Sequence, residues 1–248
     1  MPERGWALVT GASRRIGRTL ALTAARAGYD VIVHHRHSAD QAAATAAEIR
    51  ALGRDSRLGA ADLASADACR ALIAGAPVPL TLLVNSAATF EGDRIETLSV
   101  EAWDTAIAAN LRAPLLLSQA FAAALAPDRE GLIVNIADQR VLKPTPQFFS
   151  YAVSKAGLWA ATQMLAQALA PRIRVNAIAP GPTLRSTHQS PEAFAAESGA
   201  VILGHGPAPE EIGAALAYLI DARSVTGQMI VVDGGQHLAW RTPDIIDP

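Results

Sequence analysis

The sequence predicts an α/β fold in which one parallel sheet carries helices on both faces. Three observations lead there. Short, predominantly apolar runs without strict alternation recur at Trp6 to Val9, Val31 to Val33, Leu80 to Val84, Leu132 to Ile136, Arg174 to Ala179 and Met229 to Val232. Such runs suit strands covered on both sides. Ala-rich segments of helical length lie between them, at Gln41 to Leu52, Glu101 to Ala126, Tyr151 to Ala170 and Glu210 to Ile220, where propensity favours helix. Strand alternating with helix is what parallel strands joined by helical crossovers require.

Taken in order, the first strand runs straight into Thr10-Gly11-Ala12-Ser13-Arg14-Arg15-Ile16-Gly17-Arg18, and a helix begins near Ile16. A glycine turn here lets the backbone approach a pyrophosphate, and the helix N-terminus offers free N–H groups and a positive dipole end. The spacing is not G-x-G-x-x-G, so the turn alone leaves a plain strand-to-helix connection open. His34-His35-Arg36-His37-Ser38 follows the second strand. No acid stands there to accept from a ribose 2′-OH, whereas Arg36, His37 and Ser38 suit a 2′-phosphate, which predicts NADPH. Ser38 is also placed to cap the next helix. The histidines do not read as a metal site, because neighbouring strand residues face opposite ways and no carboxylate or cysteine joins them.

Further along, the stretch from Pro180 to Pro209 is rich in Gly, Pro, Ser and Thr and shows no periodicity, which predicts a functional loop. The tail at 241–248, with Pro243 and Pro248, is expected to be irregular. No composition break divides the chain, so a single domain is expected over residues 1–248.

Composition excludes several classes. The 248 residues are 50% hydrophobic, with 21 Lys+Arg against 23 Asp+Glu and a net charge of −2, enough for one substantial core. That balance argues against a nucleic-acid or anionic-lipid surface. Cys69 is the single cysteine, so neither an intrachain disulfide nor a zinc-thiolate site is available. Met1-Pro2-Glu3-Arg4 leads into the first strand without the apolar run of a secretory signal, and no stretch approaches the roughly 20 apolar residues of a membrane span. A soluble, cytoplasmic protein is expected.

Chemistry is carried by Tyr151 and Lys155, four residues apart on one helix face. An ammonium near a phenol is expected to lower the phenol pKa and make it a usable proton donor and acceptor. The spacing alone is common, and a solvated pair stays open. Among other candidates, Cys69 and Trp103 are expected in the core and Trp159 in a subunit interface, while His237 and Trp240 would line or cap a substrate pocket.

Thr10-Gly11 to Gly17, Asp62-Leu63, Asn85-Ser86-Ala87-Ala88, Asn110, Tyr151-x-x-x-Lys155, Pro180-Gly181 and Val232-Asp233-Gly234-Gly235 stand in one order and spacing. In that arrangement the chain resembles the short-chain dehydrogenase/reductase family over residues 6 to 235. The resemblance implies a Rossmann-type sheet of about seven parallel strands, NAD(P)-dependent hydride transfer and a homotetramer. It implies cofactor contacts from Gly11, Ser13, Arg14, Arg15, Ile16, Gly17, Ser86, Ala87, Pro180 and Gly181, together with His34 to Ser38. Asp62 and Leu63 would hold the adenine, Asn85 would lie beside the adenosine ribose, Lys155 would bind the nicotinamide ribose, and Asn110 would support a proton-relay water.

Three departures narrow the reading. Arg15 replaces the family's middle glycine, Ser86-Ala87-Ala88 followed by Thr89-Phe90 replaces the usual N-A-G, and Asp138 replaces the serine thirteen residues before the tyrosine. Together these resemble the pteridine reductase and dihydromonapterin reductase branch. There the residue matching Phe90 covers a pterin, and that matching Arg15 reaches substrate and cofactor phosphates. The chemistry agrees. A serine donates to a carbonyl oxygen, but an ionised aspartate only accepts, so Asp138 would oppose an alkoxide and favour a substrate bearing N–H groups at a C=N bond. A protonated Asp138 imitating serine stays open. The expected function is NADPH-dependent reduction of a dihydropterin or dihydrofolate. The alternatives are a ketone or 3-oxoacyl reductase and a non-catalytic NADP(H) sensor.

Overall fold

The computed structural model describes residues 4–187 and 189–240. The predicted tail lies outside the described residues. Seven parallel strands form one sheet: β1 (Trp6–Val9), β2 (Asp30–His35), β3 (Ser56–Ala60), β4 (Leu80–Asn85), β5 (Gly131–Ile136), β6 (Ile173–Pro180) and β7 (Met229–Val232). Their spatial order is β3-β2-β1-β4-β5-β6-β7, the Rossmann arrangement, whose direction of winding reverses between β1 and β4. A crevice opens at the carboxyl ends of the strands where the order reverses.

Alternation along each strand sorts its side chains to two faces. Ala7, Val9, Val31, Val33, Val84 and Ile178 face α1 (Arg15–Arg26), α2 (Ala39–Ala51) and α8 (Pro209–Asp221), packing on Leu20, Ile49, Ile212 and Leu216. Leu8, Ile32, Leu83, Ile133 and Val175 face α3 (Ala66–Ala74), α5 (Ala113–Ala124) and α6 (Phe149–Leu169), packing on Ile73, Leu117, Phe121 and Ala166. Cys69 is buried in this second layer, as expected, and its thiol donates to the Leu63 carbonyl. Among the described residues no helix is long and apolar enough to cross a membrane.

The structure departs from the sequence reading in four places. Strand β3 has no apolar run to announce it, because at the sheet edge Arg57 and Leu58 face outward while Ser56 and Gly59 are buried. The helix expected from Glu101 to Ala126 is α4 (Val100–Ile107) and α5 joined by a π turn over Ala108–Arg112. The patternless segment from Pro180 contains α7 (Pro191–Gly199), started by Pro191 and by Ser190, whose hydroxyl accepts from the Ala193 N–H. It buries no residue, so it has no apolar stripe to read. Trp103 is half-buried on α4 rather than in the core, since a short helix beside the cavity has one side on solvent.

Phe121 is fully buried, against Gly131 of β5. Phe121→Ala should cost about 3 to 5 kcal/mol of unfolding free energy, read from the shift of the urea midpoint at unchanged slope. A loss below about 1 kcal/mol would show that this layer collapses around the gap.

Candidate active site

The glycine turn is built by two close approaches. Gly11 has φ +66° and an added Cβ would lie 3.0 Å from the Ala87 Cα, while a Cβ on Gly17 would fall 2.1 Å from the Gly11 carbonyl oxygen. Only glycine lets β1, α1 and the loop after β4 converge there. Arg14 begins α1 with no side-chain cap, so the first N–H groups of the helix point into the crevice uncapped. The Thr10 hydroxyl accepts from Ser86 N (2.9 Å) and Ala87 N (3.0 Å), tying the β1 and β4 ends together.

His34 holds the same turn from β2. Gly11 N donates to its Nδ1 at 3.0 Å, and its Nε2 lies 3.1 Å from the Ala61 carbonyl oxygen, to which it donates. Burial drives its pKa down to about 4. The ring is thus a neutral brace, with both nitrogens spent on main chain. Arg36 and His37 are exposed at the strand end. Ser38 precedes α2 without its side chain closing the cap.

At the other end of the crevice, the Asp138 carboxylate accepts on both oxygens, Oδ1 from Arg140 N (2.8 Å) and Oδ2 from the Tyr151 hydroxyl (2.8 Å). Burial first, then the Asp138 charge and this hydrogen bond, hold the Tyr151 phenol well above its ordinary pKa, with Arg140 pulling the other way. The expectation that Lys155 lowers this pKa is therefore corrected. The Lys155 Nζ sits 5.7 Å from the Tyr151 ring centre and donates to the Ile136 carbonyl at 2.6 Å, and burial brings its own pKa down to about 8. The phenol is fixed as a donor, not as a phenolate.

A cavity of about 510 Å³ joins both ends. Its wall includes Gly11, Ser13, Arg14, Arg15, Ile16, Gly17, His34, Arg36, His37, Ser38, Asp62, Leu63, Ser86, Ala87, Phe90, Asp138, Tyr151, Lys155, Pro180 and Gly181. Two predicted residues stand behind it. The Asn85 amide donates to Asn135 Oδ1 at 2.8 Å inside the sheet. Asn110, in the π turn, accepts from Thr89 N (2.8 Å) and donates to the Thr89 carbonyl (3.0 Å) and Ser154 Oγ (3.1 Å). Its side chain clamps the loop leading to Phe90, and its polar atoms are engaged by Thr89 and Ser154.

The structure adds residues that the sequence reading missed. Phe148 stacks on Phe90 with ring centres 4.3 Å apart, and Phe90 meets Tyr151 edge-on at 4.7 Å. The Arg140 guanidinium lies 5.3 Å from the Phe148 ring centre and 5.9 Å from that of Phe90. Arg15, at φ +55°, donates from Nη1 to the Arg185 carbonyl (2.9 Å) and from Nη2 to that of Leu184 (3.0 Å), tying the glycine turn to the loop after β6. Phe90, Phe148, Arg140, Arg15 and Leu184 wall a second cavity of about 330 Å³, which shares Arg15, Phe90 and Asp138 among others with the first. His237 and Trp240 are in the wall of neither cavity. His237 pairs instead with Asp233, Nδ1 to Oδ2 at 2.7 Å.

The doubly wound sheet, the glycine turn and the Tyr151/Lys155 pair over one crevice define a dinucleotide-dependent oxidoreductase. The chain belongs to the short-chain dehydrogenase/reductase family: the family described as Enoyl-(Acyl carrier protein) reductase matches residues 11–237. The FolM alternative dihydrofolate reductase 1 of Brucella suis, solved in complex with NADP, is 46% identical, with 99% of this chain and 100% of that chain covered and a TM-score of 0.95. The Brucella canis protein of the same description, also complexed with NADP, is 46% identical at a TM-score of 0.94, covering 99% of each chain. The 3-oxoacyl-[acyl-carrier-protein] reductase FabG of Staphylococcus aureus is 33% identical over 94% of this chain and 98% of its own.

His34 makes the fold sensitive to acid. Between its ordinary 6.5 and about 4 the unfolded chain takes up a proton that the folded ring refuses, so stability falls as pH falls through that window, by up to about 3 kcal/mol. Urea unfolding at pH 7.5 and at pH 4.5 should show this acid loss in the parent and a smaller one in His34→Gln. Equal losses would assign the acid sensitivity to other groups.

Proposed function

We propose that this oxidoreductase reduces the C=N bond of a dihydropterin or dihydrofolate with NADPH. The observation that carries the reading is the Asp138 carboxylate standing beside the proton donor with both oxygens accepting. An anion there opposes a developing alkoxide and favours a heterocycle with N–H groups. The likeness to the two Brucella FolM proteins supports it.

The residues present fit the cofactor. Gly11 and Gly17 clear the space a Cβ would fill, and the uncapped start of α1 suits a pyrophosphate. Arg36, His37 and Ser38 would take the 2′-phosphate, with Asp62 and Leu63 at the adenine and Lys155 at the nicotinamide ribose. Bound there, the dinucleotide supplies the hydride. Tyr151 delivers the proton to the ring nitrogen of the C=N bond, and its raised pKa keeps it protonated and ready at neutral pH. The Lys155 ammonium offsets the charge left on the phenol oxygen. Phe90, backed by Phe148, gives the flat heterocycle an aromatic wall, and Arg15 closes the turn over it. Pro182, Thr183 and Leu184 after β6, with Phe194 and Glu197 of α7, would form the substrate side of the site. We further propose a cytoplasmic homotetramer, with the half-buried Trp159 and its neighbours Met229 and Val231 in a subunit contact.

The alternative, a ketone or 3-oxoacyl reductase, is favoured by the FabG relatives. Steady-state NADPH oxidation with dihydromonapterin, dihydrobiopterin, dihydrofolate and simple ketones separates the two. Turnover of a pterin or folate well above that of any ketone is expected, and the reverse order would overturn the reading.

Arg36→Ala should weaken NADPH by about 1.5 to 3 kcal/mol and NADH far less, since charged hydrogen bonds to the phosphate are lost. Equal affinity of the parent for both cofactors, by fluorescence titration, would refute the phosphate site. Asp138→Ser should depress pterin reduction while ketone turnover stays flat or rises, at unchanged NADPH affinity. A serine variant as fast on dihydropterins as the parent would remove the physical case for a C=N substrate.

A further inference from the structure

Proton transfer from Tyr151 leaves a phenolate 2.8 Å from the Asp138 carboxylate. Where a serine stands instead, the phenolate has a neutral neighbour and one lysine is enough to balance it. Here a second negative charge has been added, and two such charges in a buried pocket repel strongly. Some group must compensate. The side chain of Arg140 is 17% exposed and places Nη1 3.6 Å from Asp138 Oδ1, on the side of the carboxylate away from the tyrosine. It is held there by the Phe148 and Phe90 rings, and its buried Nε has no partner among the described residues. Its main-chain N–H meanwhile pins Asp138 Oδ1.

We propose that Arg140 is a positioning residue for the reduction, the cation that cancels the charge Asp138 places beside the Tyr151 phenol, so that Asp138 and Arg140 act as one unit. This rests on the reductase reading. The step it serves breaks the Tyr151 O–H bond, whose proton goes to the ring nitrogen of the substrate, and needs the adjacent carbon to receive a hydride, with its electron pair, from the C–H bond of the reduced nicotinamide that NADPH would supply. The C=N bond is reduced, NADPH is oxidised and the phenol oxygen keeps the electron pair. With Asp138 ionised and Lys155 protonated, the cluster passes from one net positive charge to neutrality when Arg140 is present. Without Arg140 it passes from neutrality to a net negative charge. On the other side of the tyrosine, a further cavity of about 240 Å³ has Glu91, Asp93 and Glu101 in its wall, all acidic, and among the described residues no cation lines it. Lys155, held by the Ile136 carbonyl, balances one of the two negative charges and leaves the other to Arg140.

The test is a comparison of Arg140→Met and Arg140→Lys, each alone and combined with Asp138→Ser, using NADPH and dihydrobiopterin. Arg140→Met should lower kcat roughly 30- to 100-fold, at or below the lower end of the loss for a preorganised group in direct contact with the reacting atoms, because Arg140 acts through Asp138. KM and the NADPH Kd should stay within about threefold and Arg140→Lys should recover most of the rate, because the cation acts through Asp138 and not by contact with either ligand. In the Asp138→Ser background the same change should alter kcat by less than about threefold, since the charge it balances is gone. Equal losses in both backgrounds, or an effect confined to KM, would overturn the proposal. If Arg140→Met fails to fold, Arg140→Gln and Arg140→Lys carry the same comparison. A parent inactive on dihydrobiopterin but active on a ketone would sink the pterin reading, and the four-way comparison on that ketone would still decide whether Arg140 and Asp138 are coupled.

Discussion

The hydroxyl of Thr10 accepts the amide protons of both Ser86 and Ala87, and the cavity depends on that junction. It sits where the winding of the sheet reverses, between the ends of β1 and β4, so the loops on either side diverge and leave a crevice. Gly11 and Gly17 let the backbone close up around it, and His34 locks Gly11 from the neighbouring strand with a ring that burial keeps neutral. A charged imidazolium here would lose its acceptor role toward Gly11 N and leave a buried donor facing a donor.

From the same junction, the loop after β4 carries Phe90 outward, and Asn110 fixes its course by pairing with both the N–H and the carbonyl of Thr89. Asn110 can do so because the π turn interrupts the long helix and carries its side chain to that loop and to Ser154 on α6. One irregular turn therefore couples the aromatic wall to the helix that carries Tyr151. At the start of that helix, Ser150 bonds to Asp93, so the tyrosine is set from both directions.

The chemistry follows from a balance of charges in a dry place. Burial raises the phenol pKa and lowers that of the ammonium, each toward the neutral form. Asp138 reinforces the first shift and opposes the second. The result is a tyrosine held in its protonated form and a lysine near 8.

The sequence alone determined the alternation of strand and helix, because parallel strands covered on both faces are predominantly apolar along their length and their crossovers are not. It also placed the glycine turn and the Tyr151/Lys155 pair, which share one cavity wall, since both rest on local spacing within a turn or a helix. Strand β3 escaped because an edge strand with a solvent-facing side has no such run, and α7 escaped because it buries nothing. Only the tertiary structure decided that Asn85 and Asn110 brace the site from behind and that Phe148 and Arg140 join it. It also decided that the phenol answers to Asp138 more than to Lys155. Those outcomes depend on distances between segments far apart in the chain and on which groups are taken out of water, and neither quantity is written in the spacing of residues.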